Sequence, residues 1–140
     1  MNWLIFFQLL AALESGGESD PDAAIGDGGL AHGRYQIRQE FVDECNRIIG
    51  EDRYALSDAH DEVKSNAMVV CWHSYWSRAK GTRGDLVAMA RQHNGGPNGH
   101  LKKSTEEYGD RARKILIRIK AAAWMARKCA TDLGMIENGE

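Results

Sequence analysis

The feature that most constrains this chain is its opening. WLIFFQLLAAL, residues 3–13, is apolar at ten of eleven positions and runs directly into Glu14. A run without a polar face is expected to fold as a helix in the centre of a core, here over residues 2–14. It is too short to span a bilayer, and no Lys or Arg stands before it as the charged leader of a signal peptide would require. The segment that follows is its opposite. SGGESDPDAAIGDGGLAHG, residues 15–33, holds six Gly, one Pro and four acids, a composition that stops helices and builds turns. Ordered connections of this length inside compact domains tend to carry function, so the segment is expected to form one wall of a site.

Helical periodicity returns after GRYQI. Phe41, Val42, Cys45, Ile48 and Ile49 recur at helical spacing, with Gly50 as a C-terminal cap. A third helix is expected from Ser57, with Val63, Ala67, Val70, Cys71 and Ser74 as its inner stripe and Trp72, Tyr75 and Trp76 partly off it, either as core or as a sugar-stacking surface. A short helix through Asp85 to Gln92 runs into the irregular turn HNGGPNG. A last helix starts at Ser104, which has capping-box spacing to Glu107, and turns Tyr108, Ala112, Ile115, Ile119 and Ala122 inward. Its outer face carries Arg111, Arg113, Lys114, Arg118, Lys120, Arg127 and Lys128, expected to be a solvated face, with electrostatic attachment to an anionic cell wall as the alternative. The fold class is therefore mostly α: about five helices, a long Gly-rich loop and at most a small β element. At 140 residues the chain fits one domain, with a flexible tail from about residue 131.

The bulk numbers narrow the function. A net charge of −2 argues against a protein whose main partner is nucleic acid. Cys45, Cys71 and Cys129 are odd in number and widely spaced, which suits buried free thiols made in a reducing compartment. GxxxxGK, HExxH and CxxC are absent, and His32, His60, His73, His93 and His100 are scattered, so neither a metal nor a cofactor is expected.

Glycosidic cleavage needs a protonated carboxyl group to donate to the leaving oxygen, and usually a second carboxylate. Glu14 and Asp27 fit these roles. Glu14 ends the apolar helix, where desolvation and the acids Glu18, Asp20, Asp22 and Asp27 would favour its protonated form, and no cation precedes Arg34 to offset them. Asp27 lies between glycines that leave room for a polymer or a water, although a turn residue bonded to its own backbone has the same signature.

In this order the motifs resemble the lysozyme-like superfamily from residue 4 to about residue 110. LLAALESGG resembles the helix end of soluble lytic transglycosylases, with Glu14 and Ser15 in the places of the catalytic Glu-Ser. GRYQI resembles their Gly-x-x-Gln segment through Gly33 and Gln36, HNGG their Asn-x-Gly turn through Asn94 and Gly96, and Tyr108 takes the place of a late Tyr facing the acid. GRYQI and HNGGPNG also resemble segments of invertebrate-type lysozymes, which pair a Glu with an Asp about a dozen residues later; Glu14 and Asp27 are thirteen apart. Those lysozymes are rich in disulfides and this chain is not, which points to a bacterial or bacteriophage relative.

The resemblance implies a bacteriolytic muramidase of the endolysin kind that cleaves the MurNAc-GlcNAc β-1,4 bond of peptidoglycan strands. Glu14 would be the general acid and Asp27 the second carboxylate, with Ser15, Tyr35, Gln36, His93, Asn94 and Tyr108 along the cleft; Tyr35 could instead pack inward. The alternatives are a lytic transglycosylase, which forms 1,6-anhydro products with no second carboxylate, and a non-catalytic wall-binding module. A monomer is expected, made in the cytoplasm and delivered to the wall by a separate lysis or export route, without stable membrane insertion.

Overall fold

The computed structural model describes residues 1–136; the end of the expected flexible tail, 137–140, lies outside the described residues. Five helices carry the chain: α1 (Trp3–Ser15), α2 (Gln39–Ile49), α3 (Glu62–Ala79), α4 (Leu86–Gly95) and α5 (Glu106–Asp132). The β content is one antiparallel pair, β1 (Ile25–Gly26) and β2 (Ala31–His32), with Ile25 opposite His32 and Gly26 opposite Ala31. Short 3-10 turns fill the connections at Pro21–Ala23, Asp27–Gly29, Leu56–His60, Gly99–Leu101 and Lys103–Thr105.

Most helix starts follow from a side chain that can satisfy an otherwise orphaned backbone N–H. Asn2 Oδ1 accepts from the Ile5 amide at 3.2 Å, Asp61 from Lys64 at 2.8 Å and Asp85 from Ala88 at 2.9 Å. The third helix thus begins five residues after the expected Ser57, because Leu56–His60 closes a 3-10 turn and Asp61 supplies the cap. The last helix begins at Glu106 without the Ser104–Glu107 capping box, since Lys103–Thr105 forms a separate turn. Gly50 ends α2 with φ 85°, as its type and position suggest.

The core gathers Phe6, Leu9 and Leu10 of α1, Val42 and Cys45 of α2, Met68, Val69 and Trp72 of α3, Met89 and Ala90 of α4, and Ala112 of α5. Each large apolar side chain buried there contributes about 1.5–3 kcal/mol relative to exposure. Two expectations fail at this level. α1 is not enclosed: Leu4 is exposed while Phe6, Leu9 and Leu10 are fully buried, because α4 and α5 cover only one side of the helix. The inner stripe of α3 is Ser65, Met68, Val69, Trp72, His73 and Ser77 rather than the stripe from Val63 to Ser74; Val63 and Ser74 are exposed. The larger Met68 and Trp72 are turned inward, and Val63 and Ser74 lie on the opposite face of the helix. Ala122 of α5 is likewise exposed, and so is Cys129, whereas Cys45 is buried and Cys71 half-buried; all three are free thiols.

Candidate active site

A cleft of about 810 Å³ opens along the body. Glu14 lines it at the end of α1, Asp27, Ala31, Gln36, Ile37 and Arg38 from the Gly-rich side, and His93, Asn94, Gly96 and Pro97 from the end of α4. The opposite wall is Glu40, Phe41 and Glu44 of α2 with Trp72 and Trp76 of α3.

Glu14 is half-buried at the point where α1 stops, and the Tyr108 hydroxyl of α5 donates to its Oε1. That bond occupies one carboxyl oxygen and fixes the group's orientation, leaving Oε2 for a ligand. Burial, followed by the facing carboxyl of Glu14, pushes the Tyr108 phenol far above its ordinary range, so it stays a donor. Tyr108 therefore stands behind the acid and acts on it rather than lining the cleft.

The Gly-rich wall is shaped by backbone conformations that few residues adopt. Gly33 has φ 71°, and a Cβ there would lie 1.9 Å from the Ala59 carbonyl oxygen. Its carbonyl accepts from the Gln36 backbone N–H at 3.0 Å and from Gln36 Nε2 at 3.0 Å, closing the GRYQ turn. Gln36 itself has φ 48°, and a Cβ on Gly26 would fall 2.0 Å from its Oε1, so Gly26 leaves the space that side chain needs. Asp27 is the other non-glycine residue with positive φ, at 50°. Both such residues line the cleft. A left-handed backbone costs a non-glycine residue roughly 1–2 kcal/mol, less for Asp, and such costs concentrate where structure serves a site.

Salt bridges hold this wall down. Arg34 donates Nε to Asp22 Oδ1 at 2.5 Å and Nη2 to Asp22 Oδ2 at 2.7 Å, and reaches Glu62 of α3 at 3.0 Å. The Arg34 guanidinium lowers the carboxyl pKa of Asp22. His60 joins the same corner: its Nδ1 donates to the Asp22 carbonyl at 2.6 Å and its Nε2 meets His32 Nδ1 at 3.0 Å. Asp27 forms an ion pair with Arg38, both about half exposed. The acids of the loop are thus partly offset by cations that follow it in sequence, a correction to the expectation of an uncompensated acidic cluster around Glu14.

Two predicted cleft residues point elsewhere. Tyr35 is 1% exposed, with its hydroxyl donating to Asn66 Oδ1 at 2.5 Å and its pKa pushed up to about 12 by burial. An aromatic flanked by turn residues buries its ring wherever a polar partner meets the hydroxyl. Ser15 is buried, its hydroxyl within 3.2 Å of the Ala11 carbonyl and 2.9 Å of the Arg34 carbonyl, so it joins α1 to the GRYQ turn. Gln36, His93 and Asn94 do line the cleft. Asn94 and Gly95 belong to α4, however, and the irregular turn starts only at Gly96, φ 80°. Both nitrogens of His93 are engaged: Nε2 donates to the Tyr35 carbonyl at 2.8 Å, which leaves Nδ1 to accept from His73 Nε2 at 3.1 Å. His93 shapes the wall and is not free to shuttle protons. His73 is fully buried against Phe6 and Trp72, and that burial, then His93, drives its pKa well below the ordinary range.

Sequence reasoning missed Arg38, Glu40 and Glu44 altogether. Glu40 and Glu44 are four apart on α2, and Trp72 and Trp76 four apart on α3, the spacing that puts a pair on one helix face. That signal was available. Glu44 accepts from Trp76 Nε1 at 3.0 Å and from both Arg47 nitrogens, at 2.7 and 2.6 Å, and Arg47 lowers its carboxyl pKa. Phe41 stacks on Trp72 with centroids 5.1 Å apart and planes 15° from parallel.

Among the described residues no cluster of three or more His, Cys, Asp or Glu is placed to hold a metal ion, and no helix is long and apolar enough to cross a membrane. The chain matches no model of a known protein family and no curated protein.

Proposed function

We propose that the chain is a peptidoglycan-degrading glycosidase, a muramidase of the lysozyme-like superfamily that hydrolyses the MurNAc-GlcNAc β-1,4 bond. The observation that carries this reading is Glu14. It sits half-buried on an open cleft, one carboxyl oxygen held by Tyr108 and the other available, at the point where the sequence resemblance places the catalytic acid. A cleft lined by Phe41, Trp72 and Trp76 together with polar side chains suits a polysaccharide strand, since sugars present apolar faces to aromatic rings and hydroxyls to polar groups. In this reading Glu14 gives its proton to the glycosidic oxygen, while Asp27, which lines the same cleft, stabilises the developing positive charge or activates water. Gln36 and Asn94 supply hydrogen bonds to acetamido or hydroxyl groups, and Trp72 and Trp76 support a ring face.

A second reading draws on the Asp27–Arg38 ion pair. A carboxylate already held by a guanidinium is a weaker nucleophile and base, which favours a lytic transglycosylase, where Glu14 acts alone and the sugar closes on itself. Digestion of purified peptidoglycan followed by mass spectrometry separates the two. Reducing ends, together with loss of turnover in Asp27→Asn, support hydrolysis; 1,6-anhydro ends with Asp27→Asn still active support transglycosylation. In both cases Glu14→Gln is expected to lower turnover by about 10²–10⁴-fold with unchanged thermal unfolding. No turnover in the wild type leaves a non-catalytic wall-binding module, and unchanged turnover in Glu14→Gln removes Glu14 from the reaction.

A further inference from the structure

α5 is two helices in one. Over its first half, Tyr108, Gly109 and Ala112 are buried and Ile115, Leu116 and Ile119 half-buried against the body. From Lys120 to Cys129 every residue is exposed. At 1.5 Å per residue, residues 120–132 extend about 20 Å past the last packed turn. The body-facing stripe continues there only as Ala123, Ala126 and Ala130, which have little to bury, so nothing draws the helix back onto the core. The larger apolar side chains stand on the other side. Trp124 follows Ile115 by nine residues, which at about 100° per residue is half a turn away, and Ile117 is close to the same line. Ile117 is 68% exposed, Trp124 64% and Met125 59%.

The charge of this stretch is as lopsided as its packing. Residues 111–131 carry seven of the chain's 18 Lys and Arg and none of its 20 Asp and Glu; they are +7, while the remainder, with eleven cations against 20 acids, is −9. Arg113 and Lys128 meet the flanking acids Asp110 and Asp132, at 2.5 and 3.0 Å. Lys114, Arg118, Lys120 and Arg127 have no acidic partner among the described residues. On the outward face Arg113, Ile117, Lys120, Trp124 and Lys128 succeed one another at helical spacing, cations alternating with apolar side chains.

We propose that the outward face of α5 docks this protein on an anionic phospholipid bilayer as a peripheral helix lying in the headgroup layer. Cations alone would suit any polyanion. The alternation with Ile117, Trp124 and Met125 selects a surface that offers anionic headgroups and, immediately beneath them, an apolar layer for an indole and its neighbours. The docking is independent of whether Glu14 catalyses.

Sedimentation of the full chain with vesicles tests it without reference to activity. The chain binds phosphatidylcholine vesicles containing phosphatidylglycerol at low salt and is released at high salt, as screening requires, and it leaves pure phosphatidylcholine vesicles in solution. On binding, tryptophan emission shifts to the blue, and the shift is absent in Trp124→Phe. The double variant Lys120→Glu/Arg127→Glu loses about tenfold or more in partitioning. Its thermal unfolding matches the wild type, because both positions lie off the packed body. Equal binding to pure phosphatidylcholine, an unchanged partition in the double variant, or a blue shift that persists in Trp124→Phe overturns the proposal. So does retention on an anionic polymer such as duplex DNA as strong as on the vesicles.

Discussion

The two walls of the cleft are built on different physical terms. The Gly-rich wall, residues 16–38, has almost no regular structure and is held by left-handed backbone at Asp27, Gly33 and Gln36, by the Arg34–Asp22 bridge and by the His32–His60 contact. The facing wall is two ordinary helices, α2 and α3, that present Phe41, Glu44, Trp72 and Trp76 at intervals their periodicity dictates. One wall obtains its shape from a few positions where a single atom more would not fit. The other obtains it from area. Substitutions in the first wall should therefore act sharply through stability, and in the second gradually through ligand contact.

Gly33→Ala tests the first wall hardest. Its new Cβ meets the Ala59 carbonyl oxygen at 1.9 Å in a backbone with φ 71°, so the loss is expected to reach about 3 kcal/mol or more, read as a lower denaturant midpoint. A loss below about 1 kcal/mol would show the wall to be plastic and the contrast with the helices false. Asp22→Asn removes the bidentate partner of Arg34, itself only partly exposed, and should cost about 1 kcal/mol at neutral pH.

The pH dependence of that loss has a definite sign. The Asp22 pKa is lowered in the folded chain, so its contribution is in place above the unfolded carboxyl value of about 4 and fades as pH falls through the lower folded value. Below that window the wild type and the Asp22→Asn variant should unfold at the same temperature, and a gap that persists there contradicts the bridge. Trp76→Ala, on the second wall, leaves the backbone of both helices in place and removes a half-buried indole that packs beside Trp72 and bonds Glu44. If the wall contacts a glycan strand, its effect appears as roughly a tenfold rise in half-saturation with little change in maximal turnover, measured on soluble peptidoglycan fragments.

Five helices, a long Gly-rich segment between the first two, the Gly50 cap and the place of Glu14 at a helix end follow from periodicity and from residues that stop helices. Asp27 was legible from its flanking glycines, whereas Gln36 and Asn94 as cleft residues and Tyr108 as a partner of Glu14 were legible only through the resemblance. The inner face of α3 was not legible, because Val63 and Met68 are equally apolar and only the neighbouring elements decide which is covered. The histidines read singly as scattered, yet His32 meets His60 and His73 meets His93 across 28 and 20 residues, a proximity that no local pattern encodes.

By itself the sequence determined how many helices form and, to within a few residues, where they start and stop, since caps, glycines and periodicity act over short distances. It also determined that α5 would carry an outer side rich in Lys and Arg and free of acids between Arg111 and Thr131. The tertiary structure alone decided which of two apolar stripes is buried, that Ser15 and Tyr35 turn away from the cleft, that Arg38 reaches back to Asp27, and that half of α5 leaves the body. Each of these depends on whether a distant segment supplies a surface or a countercharge, and such long-range terms have no signature within a local window.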